Sequence, residues 1–193
     1  MTDGYAGPVS LPAQPEHPLR VLFVCTANIG RSAYAERRAV QLLAAAQVDS
    51  VSVASAGVAA GTGRAMDGQM AAQLRARGGD PYGHSSRPLT LDLLEEAHLV
   101  LTFEFGHRLR IASSWPTQEP KVFGFRQLAD AVTRVQVPGR GLLLLDQAVA
   151  VSRRDGLNFN VADPYGRGPK VARACADIID AGLNRILPLL PPD

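Results

Sequence analysis

A cysteine and an arginine stand with five residues between them in Cys25-Thr26-Ala27-Asn28-Ile29-Gly30-Arg31-Ser32. The stretch follows the apolar run Val21-Leu22-Phe23-Val24 and opens into the helix-like Ala33-Tyr34-Ala35-Glu36. A strand, a tight turn and a helix in that order make an oxyanion cradle. The backbone N–H groups of Thr26, Ala27, Asn28, Ile29 and Gly30 turn inward, and the helix N-terminus adds roughly half a positive charge. Arg31 closes the ring with a fork that matches two oxygens of a phosphate. Cys25 lies at the bottom, where a positive field suits a thiolate nucleophile. A site of this kind binds a tetrahedral oxyanion and attacks its centre with sulfur.

Displacement at phosphorus also needs an acid for the leaving oxygen. The segment Val161-Ala162-Asp163-Pro164-Tyr165-Gly166 offers one. Proline after Asp163 restricts that residue to extended backbone, which places its carboxyl on a stiff loop. Tyr165 offers a wall for an aromatic leaving group. The scheme that follows has two steps. Cys25 attacks the phosphoryl group while Arg31 and the loop amides hold the spreading charge, and Asp163 protonates the leaving oxygen. Asp163 then serves as base for the water that hydrolyses the phosphocysteine. The cradle itself supplies the positive charge, so the scheme calls for no metal and no cofactor.

Alternating patterns position these groups. Strands are expected at Arg20–Val24, Ser50–Ser55, His98–Phe103 and Lys121–Phe123. Helices are expected at Ser32–Ala46, Asp67–Arg77 (stopped by Gly78-Gly79), Leu91–Glu96 (capped by Thr90), Glu104–Ser113, Arg126–Val135, Leu142–Val151 and Pro169–Leu187. The last is amphipathic, with Val171, Ala174, Cys175, Ile178, Ile179, Leu183 and Ile186 on its apolar side. Alternating β and α predicts an α/β fold, a doubly wound parallel sheet with helices on both faces. Ligands of such sheets sit at the carboxyl ends of the strands, which is where the Cys25 loop lies.

Bulk properties narrow the function classes. A chain of 193 residues, 46% hydrophobic and 20% charged, suits one domain with one core. Residues 1–19 read as a flexible leader and 20–193 as the domain. A net charge of +2, with Lys121 and Lys170 the only lysines, argues against nucleic acid and against an anionic membrane surface. Two cysteines form no disulfide framework, and the four histidines lack metal-ligand spacing. The proline-bearing N-terminus is not a secretory signal, and no apolar run is long enough to span a bilayer. The chain therefore reads as cytoplasmic. Cys175 reads as core packing, and His98 and His107 as structural.

In these motifs the chain resembles the low-molecular-weight protein tyrosine phosphatases. The residues that carry the resemblance are Val21 through Ser32, Ser55-Ala56-Gly57, His84 with Arg87, Leu99 through Thr102, and Asp163-Pro164-Tyr165. The resemblance implies a four-stranded flavodoxin-like three-layer sandwich, a phosphocysteine intermediate and no cofactor. It implies phosphotyrosine-bearing protein substrates, with inorganic phosphate and other oxyanions as competing ligands. It also implies that Asn28 holds a left-handed turn, that Ser32 donates to the thiolate, and that Ser55 and His84 brace Asn28.

Departures from that pattern are informative. Gly30 stands where the family usually has a second cysteine, which removes a disulfide partner for Cys25 and leaves that thiol open to over-oxidation. Ala33 replaces the usual proline, and the loop from Val58 to Gly63 carries no aromatic, so Tyr165 is the clear stacking wall. Residues 134–160 read as an insert, in which Arg153-Arg154 reads first as a solvated basic loop and otherwise as a pair that flanks the cleft and favours acidic substrates. Two other readings share the cradle. One is an arsenate reductase that uses a small external thiol, and the other is a phosphate-binding or phosphoprotein-binding module without turnover.

Overall fold

The computed structural model describes residues 18–135, 139–152 and 156–191. The leader, apart from its last two residues, and Arg153-Arg154 lie outside the described residues.

Four parallel strands run in the order β2-β1-β3-β4: β1 (Leu19–Cys25), β2 (Val51–Gly57), β3 (Leu99–Thr102) and β4 (Val122–Gly124). The central strand explains its own sequence. Val21, Phe23 and Cys25 face one core, while Leu22 and Val24 face another, so the strand reads as a continuous apolar run. The larger core gathers residues of α1 (Arg31–Ala45), α2 (Gly68–Ala76), α5 (Phe125–Ala131), α6 (Gly141–Val151) and α7 (Gly168–Ile186). The smaller one holds Leu94 of α3 (Leu91–Glu96) and Ile111 of α4 (Phe105–Ser114). The winding reverses between β1 and β3. The crevice at their carboxyl ends is bounded by the Cys25 loop on one side and by the start of α4 on the other.

Three rings fill the centre of the large core, with Phe103 and Phe125 stacked at 5.1 Å and Phe23 meeting each at 6.4 and 6.3 Å. α7 lies so close to them that a Cβ at Gly182 would come within 2.4 Å of the Phe125 ring. This close approach shifts the buried face of α7 from the expected one. Ala172, Cys175, Ala176, Ile179, Gly182, Leu183 and Ile186 are buried, whereas Ile178 is 37% exposed and Ala174 faces solvent. Small residues, rather than the largest apolar ones, set the contact. Tyr34 Oη donates to Asp180 at 2.9 Å, and Arg38 and Arg77 pair with the same carboxylate, which ties α1, α2 and α7 together.

Helix α5 is shorter than expected. Past Ala131 the chain tightens, with Thr133 and Arg134 donating to the carbonyls three residues back, and Thr133 Oγ1 taking the Asp130 carbonyl at 2.7 Å. The insert-like stretch is partly core, since Leu142, Leu144 and Ala148 of α6 are buried in the large cluster.

Candidate active site

Hydrogen bonds hold the loop after β1 from outside. Val58 N–H donates to Cys25 O, Ala59 to Thr26 O, Asp67 to Ile29 O and Tyr34 to Gly30 O, at 2.8–2.9 Å. His84 Nε2 lies 2.7 Å from Asn28 O. With these carbonyls tied outward, the N–H groups of Thr26 through Gly30 meet no partner among the described residues and are left for an anion. β2 passes so near that a Cβ at Gly57 would lie 2.5 Å from Thr26 O, so only glycine fits there.

The turn depends on Asn28, fully buried with φ 53°, a left-handed conformation that asparagine tolerates. Its Nδ2 donates to Ser55 Oγ at 2.7 Å and to Ser32 Oγ at 3.0 Å, and its Oδ1 accepts from Arg87 N at 2.9 Å. Ser55 Oγ donates to Glu36, whose carboxylate also lies 3.5 Å from His84 Nδ1. Ser32 Oγ is 2.9 Å from Cys25 Sγ. The structure thus brings Ser55 and His84 onto Asn28, and Ser32 onto the sulfur.

Arg31 is 1% exposed and held from several sides. Nη1 donates to the Glu104 carboxylate and, at 2.7 Å, to Val161 O, and Nη2 pairs with Asp163 Oδ2 at 3.0 Å. Nε is buried without a hydrogen-bond partner among the described residues. Above it opens a cavity of about 230 Å³ lined by Cys25, Thr26, Ala27, Ile29, Gly30, Arg31, Arg64, Asp163 and Tyr165. Asp163 Oδ1 accepts from Tyr165 N at 3.2 Å, which stiffens the loop that carries both. One cavity therefore collects the cradle, the carboxyl and the aromatic wall that the sequence pointed to.

The Low molecular weight phosphotyrosine protein phosphatase family matches residues 20–139. The chain belongs to that family. It is 30% identical over 169 residues to a protein-arginine-phosphatase of Geobacillus stearothermophilus, a match that covers 88% of this chain and 94% of the relative. It is 26% identical to the solved low molecular weight protein tyrosine phosphatase from T. tengcongensis, which superposes with a TM-score of 0.69 over 88% of this chain and 98% of that one. It is 25% identical to a cysteine-to-serine mutant of the YwlE arginine phosphatase with a phosphorylated active site serine, with a TM-score of 0.71 over 90% and 97%. This low molecular weight phosphatase thus has both arginine and tyrosine phosphatases among its relatives.

Several groups of this family member's site escape a reading by motif. Glu36, Glu104, His107 and Arg64 sit outside the cysteine loop, and Val161 contributes a carbonyl rather than a side chain. Topology signals two of them, because Glu104 and His107 follow the carboxyl end of β3 and so face the crevice. His107 is 4% exposed, and burial pushes its imidazole down to about 4 from 6.5, with Arg31 adding to the fall and Glu104 and Asp163 opposing it. The unfolded chain takes up this proton near 6.5 and the fold resists it. Stability is therefore full above pH 6.5 and falls as pH drops toward about 4. At about 1.4 kcal/mol per tenfold the loss reaches about 3 kcal/mol. Urea unfolding of wild type across that window is expected to show this loss, and His107→Asn to flatten it. Cys175 is buried, and burial pushes its thiol up to about 12, which makes it a poor nucleophile. Among the described residues no cluster of three or more His, Cys, Asp or Glu is placed to hold a metal, and no helix is long and apolar enough to cross a membrane.

Proposed function

We propose that this protein is a phosphomonoesterase for phosphotyrosine and similar aryl phosphates, acting through a phosphocysteine intermediate. In the first step a P–S bond forms between Cys25 Sγ and phosphorus, the P–O bond breaks, and Asp163 gives its proton to the departing phenol oxygen. In the second, water attacks phosphorus, Asp163 accepts a proton from it, the P–S bond breaks and inorganic phosphate leaves. Arg31 and the loop amides stabilise the charge on the equatorial oxygens in both. The phosphorylated active site serine in the YwlE mutant supports a covalent route on this scaffold.

The observation that favours an aryl over a guanidino substrate is the lining of the cavity. A phosphoarginine side chain carries N–H donors and a delocalised charge that want carboxylates. Here the walls are Ile29 and Tyr165, the one carboxylate is Asp163, already paired with Arg31, and a second cation, Arg64, faces the same space. An aromatic ring suits the apolar walls, and Arg64 suits acidic residues that flank a phosphotyrosine.

Steady-state hydrolysis of paired phosphotyrosine and phosphoarginine peptides tests this reading. The expected kcat/KM is higher for phosphotyrosine by about tenfold or more. Arg64→Ala is expected to raise KM for acidic phosphotyrosine peptides and to leave para-nitrophenyl phosphate unchanged. A reversed ranking of the two peptides would contradict the assignment.

A further inference from the structure

The first turn of α4 touches both ends of the cysteine loop. Glu104 is the N-cap of the helix: its backbone carbonyl accepts from the His107 backbone N–H at 3.1 Å, and its carboxylate accepts from Arg31. Its own backbone N–H donates to His107 Nδ1 at 3.2 Å. That bond settles the tautomer, because a neutral imidazole whose Nδ1 accepts carries its proton on Nε2. Nε2 lies 2.9 Å from Thr26 Oγ1, so the ring donates and the hydroxyl accepts. A threonine hydroxyl has a single proton. With its oxygen taken by His107, that proton is left for the cavity that Thr26 lines beside Cys25 and Arg31.

We propose that His107 is a positioning residue for the phosphatase reaction: it orients the Thr26 hydroxyl as a hydrogen-bond donor to the phosphoryl group and, through the same cap, holds Glu104 against Arg31. The inference rests on the phosphatase reading above. The charged groups that face His107 are Glu104 on its own helix, Arg31 from α1 and Asp163 from the loop before α7. Burial keeps the ring neutral at neutral pH, which the arrangement requires, since a protonated Nδ1 would have to give up the Glu104 N–H. Neither Thr26 nor His107 needs to move when an oxyanion enters, so the donor is preorganised.

Isosteric variants separate positioning from simple capping. His107→Asn keeps an acceptor where Nδ1 sits and loses the reach to Thr26. His107→Gln keeps a donor where Nε2 sits. Thr26→Val removes the hydroxyl at nearly constant volume. The readouts are kcat and KM for para-nitrophenyl phosphate, inhibition by inorganic phosphate, and the thermal midpoint. We expect His107→Asn to keep the midpoint while kcat/KM falls about tenfold and phosphate inhibits more weakly, with His107→Gln restoring most of the loss. Thr26→Val should lose as much, and the double variant His107→Asn with Thr26→Val should lose no more than either single change. Wild-type kinetics in His107→Asn, equal losses in Asn and Gln, or additive losses in the double variant would overturn the proposal. If folded wild type turns over no aryl phosphate, the phosphatase reading fails instead. Calorimetric binding of inorganic phosphate then decides the same comparison: weaker binding by His107→Asn and Thr26→Val alike supports the positioning role, and unchanged binding overturns it.

Discussion

Cys25→Ser is expected to lower turnover of aryl phosphates by roughly 10⁴ or more while inorganic phosphate still binds. The serine keeps the shape of the loop, because the groups that hold it act on other atoms: Asn28 through its side chain, and Val58, Ala59, Asp67 and Tyr34 through backbone bonds to the loop carbonyls. What is lost is the sulfur that attacks. Cys175 offers no substitute, since it is buried in α7 with its thiol pushed up to about 12. Steady-state kinetics with para-nitrophenyl phosphate and calorimetry with phosphate check the two halves of the expectation. Activity within tenfold of wild type would place the nucleophile elsewhere. Loss of phosphate binding together with activity would mean that the variant had disturbed the cradle, and only a folded variant that binds phosphate without turnover fits the assignment.

Arg31→Lys should cost about 10³ in kcat/KM, because the ammonium keeps the charge and loses the fork. In the structure the guanidinium is divided. Nη1 is committed to Glu104 and Val161 O, Nη2 reaches Asp163, and Nε is buried without a partner among the described residues. A lysine amine in that space is a point charge that must choose among these acceptors and the substrate. The loss should fall on kcat more than on KM, since charge spreads over the equatorial oxygens in the transition state. A loss below tenfold, or one confined to KM, would show that the fork does not act on the transition state.

Much of this site is legible from residue type and spacing, and the reason is local. From Val21 to Ser32 every feature that matters is contained in one strand–turn–helix unit: the apolar run, the asparagine that tolerates positive φ, the cysteine and the arginine. Asp163 is legible for a similar reason, because proline beside it marks a stiff loop. Gly57 as a close approach becomes evident only once β2 is paired with β1, although its position falls at a strand's carboxyl end, whereas Ser55 as a brace on Asn28 is already implied by the family resemblance. The strand order also needs more than alternation, which predicts parallel pairing and not which strand lies at the edge.

Other parts are hidden because they depend on tertiary contacts. Glu104 and His107 look like an ordinary helix start, and nothing in their own segment says that Arg31 and Thr26 lie beside them, more than seventy residues away in sequence. Hydrophobicity alone misplaces the buried face of α7. Ile178 is the larger apolar group, but Ala172, Ala176 and Gly182 allow the helix to approach the phenylalanine cluster, and that approach decides which side is buried. Close packing favours the fit over the most apolar surface. The end of α5 depends on a hydroxyl, Thr133 Oγ1, competing for a backbone carbonyl, an interaction that apolar periodicity does not register.

The central claim is that phosphate passes through Cys25. Rapid acid quench of Asp163→Asn during turnover of an activated aryl phosphate tests it most directly, because that variant should form the intermediate from a good leaving group and hydrolyse it slowly. Peptide mass spectrometry of the quenched protein should then show a phosphoryl adduct on the peptide that contains Cys25, appearing with the burst of released phenol and absent from Cys25→Ser. Phenol release without an adduct, or an adduct on another residue, would contradict the account.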